Sequence, residues 1–316
     1  MTPALSWIAW ICACFGFAAA LALLSGVASW RRWLSAGLAG VALGTPFAIS
    51  QGSVLRAAVA LELLWVCVKL IGLARERETW PPGFRVLHLL VLHDLRHDGA
   101  ARQPGRIRLR PDWRPGLLLG SSLWGAAAAV ALWLALFIAP TLSPPWRWLA
   151  RCGAGVGFAY AGVEGALGAF ELVYRVVGLR PPVLHRQPLL SLSIAEFWGR
   201  RWNRIVGSWL FATFYRPLAA RGSPGWGLVA AFAGSAVLHL YFTWAALGLR
   251  PALHMAAFFL VQLPLLGLER RLGQSSWPRA ARRVWTLAWL VLVSPLFVEP
   301  MLDILAGGFA VSGRLG

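Results

Sequence analysis

An ionisable side chain near the centre of a long apolar run is costly to bury in a membrane and marks a functional candidate. His239 stands in such a run, GLVAAFAGSAVLHLYFTWAAL, with Ser235 and Thr243 four residues to either side. On a helix the three make a short polar stripe on an otherwise apolar surface. A neutral imidazole there accepts a proton, so the chemistry on offer is general-base catalysis. The competing reading is a histidine hydrogen-bonded across a helix interface, with Gly234 and Ser235 allowing close packing.

The second candidate is Asn203, in HRQPLLSLSIAEFWGRRWNRIVGSWLFATFYRP. Pro188 stops the preceding structure, and Ser193 to Glu196 reads as an S-x-x-E capping box with Leu192 and Phe197 placed as a hydrophobic staple. The spacing predicts a helix from about Ser193 on which Trp198, Trp202, Ile205 and Trp209 form one narrow aromatic-rich stripe. On that helix Asn203 projects about 140° from Trp198, in the same sector as Glu196, Arg200 and Gly207. One reading is an amphipathic surface helix whose arginines bind lipid phosphates; the other is a polar face lining an active-site tunnel.

The elements that must position these residues follow from composition. Of 316 residues, 58% are hydrophobic, well above a soluble domain, and the formal charge is +18. Spanning helices of roughly 20 apolar residues fit near 4–29, 33–50, 54–73, 116–139, 152–174, 226–248, 251–268 and 284–305. With those eight spans, 24 of the 30 cations fall in alternate loops, four on the opposite side, and Arg56 and Lys69 inside the third span. Basic loops in the cytoplasm and both termini outside satisfy the positive-inside rule, so the basic excess reads as topology and no nucleic-acid partner is expected. The first run, followed by Arg31 and Arg32, suits a retained anchor with its N-terminus outside. Every cation except Lys69 is arginine, a bias that fits a GC-rich genome, and the expected home is a bacterial cell membrane. The expected fold is an all-α integral membrane protein of about eight transmembrane helices plus in-plane or re-entrant cytoplasmic helices. No repeat or soluble segment interrupts it, so residues 1–316 read as one membrane-embedded unit.

The long loop from Arg75 to Arg114 opens with FRVLHLLVLHDLRHD, expected to lie along the headgroups with its arginines reaching phosphates. His93, His97, Asp94 and Asp98 have a spacing that permits a metal, but an interfacial helix with local pairing is the preferred reading, and no metal is expected. His88 and His185 read as loop or interface residues. Glu164 and Glu171 make either a polar seam or part of a tunnel, and Glu62 can pair with Arg56, Lys69 or a neighbouring helix. Cys12, Cys14, Cys67 and Cys152 lie in apolar runs as small packing or lipid-facing residues.

FWGRRWN, preceded by the P-L-L-S-x-S stretch from Pro188 and followed by Tyr215, Arg216, Pro217 and then Ser235 and His239 in the next span, resembles the wax-synthase branch of the membrane-bound O-acyltransferase family. The resemblance covers about Leu184 to Thr243. It implies His239 and Asn203 as the paired catalytic residues, with Trp198, Arg200, Arg201, Trp202, Arg204, Tyr215 and Ser235 around the substrates. It also implies acyl-CoA or another acyl thioester as donor and co-substrate, a lipid or long-chain alcohol as acceptor, membrane lipids as surroundings, and no bound cofactor. Leu240 departs from the plant enzymes, in which an acidic residue often follows the histidine. The chemistry fits: acyl transfer to an alcohol needs a base and an oxyanion donor, the latter worth roughly 3 kcal/mol. Neither a G-x-S-x-G elbow nor a cysteine near the pair calls for a covalent intermediate. Arg200, Arg201, Arg204, Arg216 and Arg221 are close enough to Asn203 in sequence to bind coenzyme A phosphates, the preferred reading of any single one being positive-inside topology with no ligand role. The alternative function is a multi-spanning transporter or lipid-binding protein with His239 in a proton or substrate path; the absence of internal repeats speaks against it.

Overall fold

The structure, a computed structural model, describes residues 3–26, 28–75, 80–91, 111–178 and 183–310. Every regular element among them is helical. In chain order these are α1 (Pro3–Leu24), α2 (Ser29–Ala42), α3 (Thr45–Ala48), α4 (Ser53–Arg75), α5 (Pro82–Leu90), α6 (Pro115–Trp133), α7 (Trp146–Val176) and α8 (Ile194–Glu196). They continue as α9 (Arg204–Leu210), α10 (Arg216–Ala219), α11 (Pro224–Leu247), α12 (Leu249–Leu260), α13 (Gln262–Arg271), α14 (Arg279–Val293) and α15 (Pro295–Ala310).

This is an all-α integral membrane protein. Among the described residues, six helices are long and apolar enough to cross a bilayer: α1, α4, α6 extended to Thr141, α7, α11 and the continuous α12–α13. The pair α14 and α15, bent by 49°, brings the number to seven if it makes one crossing. Of the eight expected spans, 284–305 corresponds to this bent pair and 33–50 has no counterpart among the six. That run is apolar but carries Pro46, which lacks an amide hydrogen and crowds the preceding turn. It therefore folds as α2, of 14 residues, and α3, of four, hinged at Leu43 and Gly44. Even so, α2 runs antiparallel to α4: Arg32 donates to the Leu73 carbonyl at 3.4 Å, while Ala42 and Leu43 pack on the core of Leu55, Val59 and Leu63.

The helices gather into two compact units. The first takes α1 to α5, Tyr241–Gly248 and the end of α15 from Gly307; the second takes α6 to α10, α11 as far as Leu240, and Leu249–Ala306. Within the first, α5 is the amphipathic helix expected from FRVLHLL, but it faces inward. Arg85 donates to the carbonyls of Ala22 (2.9 Å) and Trp80 (2.6 Å), and Lys69 of α4 closes the end of α5 by donating to the carbonyls of His88 and Val91. His93, Asp94, His97 and Asp98 lie outside the described residues.

In the second unit α6 and α7 approach closely because small residues face each other. An added Cβ at Gly165 would sit 3.0 Å from the Gly125 nitrogen, and one at Gly168 2.9 Å from Ser121 Cβ. Arg151 near the start of α7 is paired with Glu299 (2.7 Å) and Asp303 (2.9 Å) of α15. The core lies among α11, α12, α13 and α14: Phe232, Ala236, Met255, Ala256, Phe258, Phe259, Leu265, Leu266 and Val293 pack with Ile194.

Candidate active site

The segment with FWGRRWN begins as its local chemistry dictates. Ser193 Oγ accepts the Glu196 N–H at 2.9 Å, as a capping box requires, and the Glu196 carboxylate reaches back to the Leu192 N–H at 2.8 Å. It does not continue as one helix. After α8 comes a π-helical turn at Phe197–Arg201, closed by the Trp202 N–H on the Phe197 carbonyl at 2.8 Å. Trp202 is then extended, Asn203 left-handed (φ 34°, ψ 64°), and α9 starts afresh at Arg204. The expected continuous stripe is thereby corrected, since Trp198 and Trp202 face different surroundings.

The break has two causes. Residues 183–187 run beside it, with the Arg204 N–H bonded to the Leu184 carbonyl and the Arg186 N–H to the Arg201 carbonyl, both at 3.0 Å. The second is Asn203 itself: asparagine tolerates the left-handed region better than any other residue with a Cβ, and its Oδ1 accepts the Val206 N–H at 3.4 Å as the cap of α9. With the oxygen so used, the exposed amide NH₂ of Asn203 is the donor the side chain presents.

Trp198 turns into the core. Its indole N–H donates to Gln262 Oε1 at 3.2 Å, and its ring packs against Phe232, Phe258 and Phe259 with centroids 5.8–6.4 Å apart. Phe259 lies in turn 4.0 Å from the His239 ring, and Phe297 6.4 Å from it. A run of aromatic contacts therefore leads from the FWGRRWN segment to His239. The His239 Nδ1 stands 2.8 Å from the Ser235 carbonyl oxygen. A carbonyl only accepts, so Nδ1 carries the proton and Nε2 is the basic nitrogen. Ser235 is itself buried, and Thr243, one turn beyond His239, is buried in the first unit.

The remaining candidates divide by what they touch. Arg201 is turned inward, onto Glu196 (2.7 Å) and the carbonyls of Arg186 and Gln187 (2.9 and 3.3 Å). Arg204 reaches the Val183 carbonyl at 2.8 Å, whereas Arg200, Arg216 and Arg221 are exposed. Burial pushes the Glu196 carboxyl up, but the Leu192 N–H, Arg201 and Arg200 outweigh it and hold the group below its usual range. Tyr215 ends a second π-helical turn, Phe211–Tyr215, stacks on Phe211 at 5.2 Å, and backs onto Gly227, where an added Cβ would meet its carbonyl at 2.8 Å.

Several residues at this site were missed or undervalued in the sequence. Gln262 and Glu269, two helical turns apart in an apolar run, both serve the segment: Glu269 accepts the Ile194 N–H with its two oxygens at 2.9 and 3.1 Å. The available signal was the polarity of Gln262 within the predicted 251–268 span and of Glu269 at its edge. His185, read as a loop or interface residue, pairs through Nδ1 with Glu164 Oε1 at 3.2 Å and lies 4.5 Å from the Trp202 ring. Its burial pulls it below the ordinary histidine value despite Glu164. Glu171 is bound to Arg175 at 2.7 Å. Among the described residues, no three His, Cys, Asp or Glu side chains gather as a metal site.

Residues 181–261 match the membrane bound O-acyl transferase family. The chain is 30% identical over 111 residues to the long-chain-alcohol O-fatty-acyltransferase of Simmondsia chinensis, covering 32% of each protein. It is 31% identical over 152 residues to acyl-CoA–sterol O-acyltransferase 1 of Arabidopsis thaliana, which is 40% of this chain and 44% of that one. A probable long-chain-alcohol O-fatty-acyltransferase 1 of Arabidopsis thaliana is 25% identical over 120 residues, 35% of each. The chain thus spans between 32% and 44% of the length of the curated relatives it matches.

Proposed function

We propose that this chain, whose residues 181–261 match the membrane bound O-acyl transferase family, is a wax-synthase-like member that transfers a fatty acyl group from acyl-CoA to a long-chain or lipid alcohol within the membrane. His239 Nε2 takes the hydroxyl proton as the alcohol oxygen attacks the thioester carbonyl. The Asn203 amide donates to that carbonyl oxygen as it becomes an oxyanion. Collapse of the tetrahedral species expels the thiolate, which recovers the proton from His239 and leaves as the free thiol. No acyl-enzyme intermediate is required. The exposed Arg200, Arg216 and Arg221 meet the phosphates of coenzyme A on the cytoplasmic side, with Arg201 and Arg204 shaping the loop behind them.

The observation that supports this reading is the bond from His239 Nδ1 to the Ser235 carbonyl, which leaves Nε2 as the nitrogen able to accept a proton, in a helix joined through Phe259 to the FWGRRWN segment. The names of the relatives supply the acceptor class: one acts on long-chain alcohols and another on sterols. The test is purified protein in detergent given radiolabelled palmitoyl-CoA with a panel of long-chain alcohols and sterols. An ester that forms with wild type and disappears in His239→Ala supports the assignment; ester formation undiminished in His239→Ala removes His239 as the base.

A further inference from the structure

We propose that Glu164 and His185 act as a positioning pair that fixes the Trp202–Asn203 break and, through it, the direction of the Asn203 amide. This rests on the reading of Asn203 as the carbonyl donor.

His185 lies at the centre of the segment that forms the break. On one side of it the Leu184 carbonyl receives the Arg204 N–H, and on the other the Arg186 N–H binds the Arg201 carbonyl. The imidazole between those two bonds rests against the indole of Trp202, which also stacks on Phe197 with rings 15° from parallel. Nδ1 is anchored to Glu164, a residue of the spanning helix α7. The anchored end is rigid, because Gly165 and Gly168 hold α7 against α6 at near-minimum separation. The left-handed turn at Asn203 is therefore referenced, through Trp202, His185 and Glu164, to a helix that crosses the membrane.

Packing alone does not account for a histidine here. Its side chain is 4% exposed and its Nε2 is buried with no hydrogen-bond partner among the described residues. An unsatisfied buried nitrogen is a cost that phenylalanine in the same slot would avoid. What the imidazole adds over a hydrocarbon ring is its bond to Glu164. The break it steadies lies outside the membrane-spanning helices.

The experiment compares His185→Phe, Glu164→Leu and Glu164→Gln in the ester-forming assay, with Asn203→Ala and His239→Ala alongside. His185→Phe keeps a ring on Trp202 but drops the anchor; Glu164→Leu drops the anchor from the other side; Glu164→Gln keeps an oxygen for Nδ1–H and is the conservative rescue. The expected result is a kcat lower by about tenfold or more in the first two, with KM for palmitoyl-CoA within about twofold and most of kcat retained in Glu164→Gln. Wild-type kcat in both His185→Phe and Glu164→Leu, while Asn203→Ala and His239→Ala are inactive, overturns the positioning pair and leaves the proposed function standing. A fall in kcat matched by equal losses in KM and thermal stability, and not rescued by Glu164→Gln, also overturns it in favour of a purely structural contact. If His185→Phe does not fold, the contrast between Glu164→Leu and Glu164→Gln decides alone. Full activity in Asn203→Ala and His239→Ala removes the proposed function, and the positioning pair with it.

Discussion

Both carboxylate oxygens of Glu269 accept the backbone N–H of Ile194, 75 residues earlier in the chain, at 2.9 and 3.1 Å. The same α13 end is joined by Gln274, which donates to the Leu192 carbonyl at 2.7 Å, and by Arg282 of α14, which reaches that carbonyl at 3.3 Å. A spanning helix and its neighbour thus hold the start of the FWGRRWN segment by its backbone, whatever side chains the segment carries. Glu269→Ala should leave a buried N–H without an acceptor and cost about 1–3 kcal/mol. Thermal unfolding in detergent reads this as a lowered midpoint, with Glu269→Gln, which keeps one acceptor oxygen, falling between. An unchanged midpoint in Glu269→Ala would mean that Ile194 finds another acceptor.

Acid should loosen the same segment through Glu196. Its carboxyl is held below the usual range in the folded protein by the Leu192 N–H, Arg201 and Arg200, which outweigh the opposing effect of burial. A depressed carboxyl stabilises the fold above its unfolded value, about 4.3, and that contribution is lost as pH falls through the folded value. Stability measured from pH 7 downward should therefore fall more steeply in wild type than in Glu196→Gln below about pH 4.5. Parallel curves for the two proteins would assign the acid sensitivity elsewhere.

Gly234 sets how closely the π-helical turn at Phe211–Tyr215 can approach the helix that carries His239. A Cβ there would stand 2.7 Å from Phe214 Cε2, a ring already held edge-on by Trp209 at 5.6 Å. Gly234→Ala should overpack this contact at a cost of about 1–3 kcal/mol, and Gly234→Val more. Gly225, in the first turn of the same helix, has nothing within 4 Å of its added Cβ. Gly225→Ala should thus be neutral or slightly stabilising, by at most about 1 kcal/mol. Equal midpoints for Gly234→Ala and Gly225→Ala would show that Phe214 yields without cost.

What was legible in the sequence was what local chemistry decides. Apolar length marked α1, α4, α6, α7, α11 and α12–α13, and Ser193 with Glu196 marked the start of α8, because both signals act within a few residues. The one-helix reading of the FWGRRWN segment failed because the break at Trp202 is made by carbonyls of Leu184 and Arg201 and by the ring of His185, none of which periodicity registers. Glu164, His185, Gln262 and Glu269 were each visible as polar residues. Their pairings, across 21, 64 and 75 residues, exist only after the helices have packed. The contact of His239 with Ser235 is of the opposite kind, since the Ser235 carbonyl lies one turn away on the same helix.

Asn203 combines two roles that one substitution can separate. Its Oδ1 caps α9 and its backbone is left-handed, while its NH₂ is the proposed oxyanion donor. Asn203→Asp preserves the cap, since aspartate is as good an N-cap, and it tolerates the left-handed region, but it has no N–H to donate. The midpoint of unfolding should stay near wild type while kcat falls by about 10²–10³, the loss of a single oxyanion donor. Asn203→Gly, which suits the backbone still better, should lose kcat to the same degree and a few tenths of a kcal/mol of capping. If Asn203→Asp turned over at the wild-type rate, the amide would hold the turn and nothing more, and the donor to the thioester carbonyl would have to be sought among the backbone N–H groups of the break.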